Sequence, residues 1–121
     1  MSLPFLTAPS NYPQNVAVST VSSTEIRVTW EPVPEIDRNG IITQYEVRYT
    51  PLTTFGGLIS ENSTFIDVSI TEITLTDLQE FVEYNISVRA YTSVGPGPFS
   101  PGEVAQTAEA GMMIVMLLQR V

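Results

Sequence analysis

Two asparagines carry the most recognisable chemistry in this chain. Asn62-Ser63-Thr64 and Asn85-Ile86-Ser87 each place a hydroxyl two residues after an asparagine, the tripeptide that N-linked glycosylation requires. Asn62 falls in a polar stretch, where a sugar is easily tolerated. Asn85 stands between Tyr84 and Ile86; with those two pointing inward, the period-two alternation of a strand sends Asn85 outward. Both are candidate acceptors, and together they point to an extracellular setting. Asp37-Arg38-Asn39-Gly40 reads D-x-N-G, a faint echo of a calcium loop. The later ligands and the bidentate glutamate are missing at the required spacing, so a hairpin-type turn at Asn39-Gly40 is the better account.

Composition removes most other chemistry. The 121 residues include no Cys and no His. Disulfides, thiolate nucleophiles, Cys/His zinc sites and the usual general base go with them. Ser and Thr are plentiful, but no imidazole is available to activate them. No pair of carboxylates falls in a recognisable catalytic frame. Gly95-Pro96-Gly97 makes no phosphate cradle, because Pro96 lacks an N–H and no helix follows. The expectation is a non-enzyme with no cofactor and no metal.

The formal net charge is −8, and all five basic residues are arginines. Phosphate binding needs clustered cations. Arg27, Arg38, Arg48 and Arg89 are scattered singly along the body, with Arg120 near the end. Nucleic acid and anionic membrane surfaces are therefore poor partners. The acidic balance favours solubility.

These residues need elements to hold them, and the pattern supplies strands. Val16 and Val18 alternate with polar neighbours. Ile26, Val28 and Trp30 alternate with Arg27 and Thr29, and Pro32 and Pro34 end that run. Tyr45, Val47 and Tyr49 share one face, with Glu46 and Arg48 on the other, and Pro51 closes it. Further strands are expected from Phe65 to Ile70, around Ile73 and Leu75, along Tyr84, Ile86, Val88 and Ala90, and from Glu103 to Thr107. About seven short strands separated by turns predict an all-β, antiparallel, seven-stranded immunoglobulin-like sandwich.

At this point the residues resemble the fibronectin type III family. The likeness rests on Pro13 opening the first strand, Trp30 followed by Glu31-Pro32, and Tyr45-x-Val47-x-Tyr49. It continues through Leu78, Tyr84-x-Ile86-x-Val88-x-Ala90, Gly95-x-Gly97 and Ser100. It departs at Glu80 and Val82, where the family often has Pro and Thr. No Arg-Gly-Asp tripeptide occurs, so the integrin-binding loop of some members does not carry over. The resemblance implies a core of Trp30, Tyr45, Val47, Leu78, Tyr84, Ile86 and Val88. Trp30 would lie between the sheets, and the Tyr84 hydroxyl would bond to backbone just upstream as a tyrosine corner. Tyr45 and Tyr49 are expected to be half-buried, and Tyr91, opposite in parity to Tyr84, to face solvent.

Three segments are expected: an N-terminal arm over 1–8, the sandwich over 9–107, and a hydrophobic tail over 108–121 outside it. Met1-Ser2-Leu3-Pro4-Phe5-Leu6 lacks the basic and apolar regions of a signal peptide. An extracellular domain would then be a piece of something longer. The tail run from Met112 to Leu118 is far short of the ~20 residues a membrane helix needs. Three readings stay open: the start of a longer hydrophobic segment, a spliced or appended ending, or a run that packs on a sheet face or a neighbouring chain. The last is favoured, with self-association as its expected outcome. By resemblance, the leading reading is a protein-interaction or spacer module of a multidomain cell-surface adhesion or receptor protein with an unspecified protein partner. The alternative is an intracellular structural scaffold module.

Overall fold

The β-branched alternation builds two facing antiparallel sheets. The computed structural model describes residues 6–52 and 60–110. Its strands are β1 (Gln14–Thr20), β2 (Ile26–Glu31), β3 (Gln44–Pro51), β4 (Asn62–Asp67), β5 (Glu72–Leu75), β6 (Glu83–Tyr91) and β7 (Glu103–Gln106). One sheet has the order β1-β2-β5 and the other β4-β3-β6-β7. The strands of Val, Ile, Thr and Tyr suit a pleated, half-buried surface. Each strand sends alternate side chains into the space between the layers.

That space is filled by Ile26, Val28 and Trp30 of β2, Tyr45 and Val47 of β3, Ile66 of β4 and Leu75 of β5, and Tyr84, Ile86, Val88 and Ala90 of β6. Val33, Ile42, Leu78 and Val82 close its ends. Trp30 packs edge-on against Tyr45, with ring centroids 5.4 Å apart, a favoured aromatic geometry. Its indole Nε1 is buried with no hydrogen-bond partner among the described residues. Tyr45 is 2% exposed. The expectation of half-burial underrates it, because its ring is enclosed by Trp30 across the sandwich. Tyr49 does lie half-buried, against the same core.

Tyr84 sits in the inner layer, and its hydroxyl accepts the Gln79 N–H at 2.9 Å. Nearby, the Thr107 hydroxyl accepts the Val82 N–H at 2.9 Å and donates to the Gln79 carbonyl at 2.7 Å. The chain end of the sandwich is thus stitched back to the turn before β6. The bonding continues to Ala108, whose N–H donates to Ser22 and whose carbonyl accepts from Phe81. At the other end, Thr7 N–H donates to the Asn39 carbonyl, and the Thr92 hydroxyl donates to the Thr7 carbonyl.

Two local expectations change. Asn39-Gly40 is not a hairpin turn, because β2 and β3 belong to different sheets. The connection crosses between layers through a short 3-10 turn at Glu35–Asp37, and Asn39 adopts φ +56° beyond it. Asparagine tolerates this left-handed conformation better than most residues. The strand expected over Phe65–Ile70 runs instead over Asn62–Asp67. Asp67 ends it: the carboxylate accepts from the Ser69 N–H and hydroxyl, while Ile70 N–H returns to the Asp67 carbonyl. Such side-chain bonding two residues on favours a turn over a ladder. The apolar run Met112–Leu118 lies outside the described residues.

Two substitutions test this packing. Trp30→Ala should cost about 3–5 kcal/mol, as other large aromatic truncations in cores do; a melting temperature within a few degrees of the parent would contradict the packing. Tyr84→Phe removes only a hydroxyl and leaves the Gln79 N–H without its partner. Chemical denaturation should show a loss of about 1–3 kcal/mol, and an unchanged midpoint would mean the corner bond contributes nothing.

Candidate functional site

The outward residues of the four-stranded sheet form a cluster of aromatic rings and guanidinium groups. Register brings them together. Glu46 of β3 stands opposite Phe65 of β4 on one side and Arg89 of β6 on the other. Arg48, two residues along, stands opposite Ser63 and Ser87. Gln44 faces Tyr91. Side chains two apart on a strand share a face, so Glu46 and Arg48 lie beside Arg89 and Tyr91.

Phe99 completes the cluster from the connection between β6 and β7. Arg48 and Arg89 both lie over its ring, their guanidinium carbons 3.8 and 4.2 Å from the centroid. These distances are within cation–π range. The loop is held in place by backbone. Ser100 N–H donates to the Val88 carbonyl, and its hydroxyl accepts the Val88 N–H, both at 2.9 Å. Gly97 N–H donates to the Ala90 carbonyl at 2.8 Å. A Cβ at Gly97 would meet Pro9 at 2.8 Å, so only glycine lets the loop pass the N-terminal segment. Arginines that are scattered singly in the sequence therefore converge in space.

Glu46 is buried at 6% exposure although it points away from the core. Arg89 Nε and the Tyr91 hydroxyl both donate to its Oε1, each at 2.7 Å. Tyr91 in turn accepts from the second guanidinium nitrogen of Arg89 at 3.2 Å. Burial by itself pushes the Glu46 carboxyl up. The hydroxyls of Tyr91 and Ser63 and the Arg89 charge outweigh burial, and the net shift is downward. Tyr91 shifts upward, through burial and through donation to a carboxylate. Tyr91 lies on the outer face as expected, but half-buried within this network and not fully open to solvent. Its ring meets Phe65 edge-on, centroids 5.9 Å apart. Phe65 remains 56% exposed, an aromatic held at a fixed angle with much of its face open.

The candidate residues named from sequence fall elsewhere. Trp30, Tyr45, Val47, Leu78, Tyr84, Ile86 and Val88 all lie buried in the core. Asn62 is exposed at the start of β4, and Asn85 is half-buried on β6. Among the described residues no group of three or more His, Cys, Asp or Glu side chains could hold a metal, and no helix is long and apolar enough to cross a membrane. The parity of Glu46, Arg48 and Tyr91 is legible from alternation. Phe65 and Phe99 join them only through register and loop closure.

The network has a pH signature. Because the folded carboxyl is depressed, its contribution is complete above the ordinary glutamate value of about 4.3 and is lost as pH falls through the lower folded value. Glu46→Gln should be less stable than the parent in urea at neutral pH, and the gap should narrow in acid as the parent becomes protonated. A gap that stays constant into acid would contradict the charged network.

Comparison with known proteins identifies the scaffold. Residues 11–106 match the family model described as fibronectin type III domain. The chain is 36% identical over 104 residues to cell adhesion molecule Dscam1 of Drosophila melanogaster, covering 84% of this chain and 5% of that protein. It is 38% identical over 108 residues to receptor-type tyrosine-protein phosphatase F of Bos taurus, again 84% of this chain and 5% of the other. It therefore spans about a twentieth of the curated relatives' length. The solution structure of the third fibronectin III domain of human KIAA0343 protein superposes with a TM-score of 0.80 at 29% identity, covering 90% of each chain. With its two sheets, its tyrosine corner and its match over most of its length, the chain belongs to the fibronectin type III domain family.

Proposed function

We propose that this chain is a non-catalytic interaction module of a multidomain cell-surface adhesion or receptor protein, and that it binds a protein partner through the outer face of β4-β3-β6-β7. The observation that carries the reading is Phe65, 56% exposed yet braced edge-on by Tyr91 beside two guanidinium groups stacked on Phe99. Aromatic residues and arginine are enriched among the residues that dominate binding energy at protein interfaces, the aromatics because they bring large contact area with little conformational loss and arginine through its planar fork of donors. The Glu46–Arg89–Tyr91 bonds hold the polar groups of the site in place, and preorganisation of this kind lowers the ordering cost of association. The relatives include a cell adhesion molecule and a receptor-type phosphatase, which favours the extracellular reading over an intracellular scaffold. The proposed boundaries are 9–107 for the module, with an arm before it and the 108–121 tail after it, although Thr7 of the arm and Ala108 of the tail are hydrogen-bonded to the sandwich. Self-association through Met112–Leu118 belongs to the same proposal.

Staining of intact cells with a multivalent form of the full chain tests the face. Phe65→Asp should lower saturable binding at least tenfold, as loss of an interface anchor does, while leaving the melting temperature near that of the parent. Ile36→Asp, an exposed change in the turn between the sheets, should leave binding intact. Equal binding by the Phe65 variant and the parent would overturn the assignment of this face.

A further inference from the structure

The two glycan acceptor tripeptides both fit Asn-x-Ser/Thr, with Thr64 in one and Ser87 in the other, and they differ in space. Asn62 is the first residue of β4, an edge strand that pairs only with β3. It is exposed, and Ser63 beside it is exposed too. It borders an open cleft of about 400 Å³ between β4 of one sheet and β5 of the other, lined also by Tyr49, Thr64, Thr74, Thr76 and Tyr84. A bulky hydroxylated group attached here has free volume on its own side and hydroxyl-bearing neighbours.

Asn85 lies inside the sheet. It is paired on both sides, opposite Thr50 of β3 and Val104 of β7. Its amide rests on Gly102: a Cβ there would clash with the amide oxygen and would lie 2.9 Å from Nδ2. That nitrogen is the atom a sugar must be attached to. The hydroxyl of the tripeptide, on Ser87, is on a residue only 3% exposed. A sugar added before folding would therefore have to be displaced, together with the entry to β7, for the β6–β7 ladder to close.

We propose that the folded chain carries an N-linked glycan on Asn62 alone, and that Asn85 is a structural amide packed against Gly102. This rests on the extracellular reading above and deepens it. Asn62 shares its face of β4 with Thr64 and Ile66, whereas Phe65 points the other way. The glycan stands over the gap between two free sheet edges, where stray strand pairing would otherwise occur, and it leaves the Phe65 face open.

The test is expression of the full chain behind a signal peptide in mammalian cells, followed by mass analysis of the secreted protein before and after enzymatic glycan removal. Because entry to the secretory pathway is imposed, the result reports on acceptor geometry, whereas loss of the cell-binding reading would show only in the staining experiment. The secreted parent should carry one glycan, and glycan removal should leave its deamidation mark at Asn62. Asn62→Gln and Thr64→Ala should each abolish the glycan; Ser87→Ala should leave it unchanged. A secreted, cooperatively melting protein with a glycan on Asn85, or with none on Asn62, overturns the proposal.

Discussion

The pairing of β3 with β6 is the constraint on which the rest of this structure depends. Eight consecutive residues, Gln44 to Pro51, stand opposite Tyr91 to Tyr84. One register sets both sides of the sheet. On the inside it aligns Tyr45 with Ala90, Val47 with Val88 and Tyr49 with Ile86. On the outside it aligns Glu46 with Arg89 and Arg48 with Ser87. A slip of one residue would exchange the faces, driving Glu46 and Arg48 into an apolar layer and Val47 into water. The burial of the inner row therefore also places the outer row, and the interaction surface follows from the core.

This coupling explains how a buried carboxylate is tolerated. Glu46 sits under its neighbours because Arg89 and Tyr91 are delivered to it by the same ladder that buries Val47 and Val88. Leaving a charge buried and unpaired costs several kcal/mol; here it receives donors from both. The guanidinium of Arg89 is shared between that carboxylate and the Phe99 ring. Phe99 reaches it because Ser100 and Gly97 tie the β6–β7 connection back onto β6.

What the sequence reveals here is parity, and what it hides is partnership. Alternation assigns Tyr84, Ile86 and Val88 to one face and Glu46, Arg48 and Tyr91 to another, because strand geometry is local. Asn39-Gly40 reads as a hairpin because the local turn preference does not say which sheet the next strand joins. The burial of Glu46 and the meeting of Arg48 with Arg89 depend on residues about forty positions apart. Phe99 has no period to mark it, since it lies in a loop. Asn62 and Asn85 each head an acceptor tripeptide, and the strand pairing on either side of Asn85, with Gly102 against its amide, separates them in space. Thr107 reads as the end of the last strand and Ala108 as the start of the tail, yet hydrogen bonds from Thr107 to Val82 and Gln79 and from Ala108 to Ser22 tie both to the sandwich.

The register of β3 against β6 can be measured directly in a chain that contains no cysteine. Arg48 and Ser87 are directly opposite on the outer face, and opposed residues in antiparallel strands lie about 4.5–5.5 Å apart at Cα, within the span of a disulfide. Oxidation of the Arg48→Cys/Ser87→Cys variant should give a nearly complete intramolecular disulfide in a protein that still unfolds cooperatively. The diagonal pair, Arg48→Cys with Asn85→Cys, should crosslink poorly. Efficient closure of the diagonal pair in place of the direct one would contradict the register, and with it the shared origin of the core and the binding face.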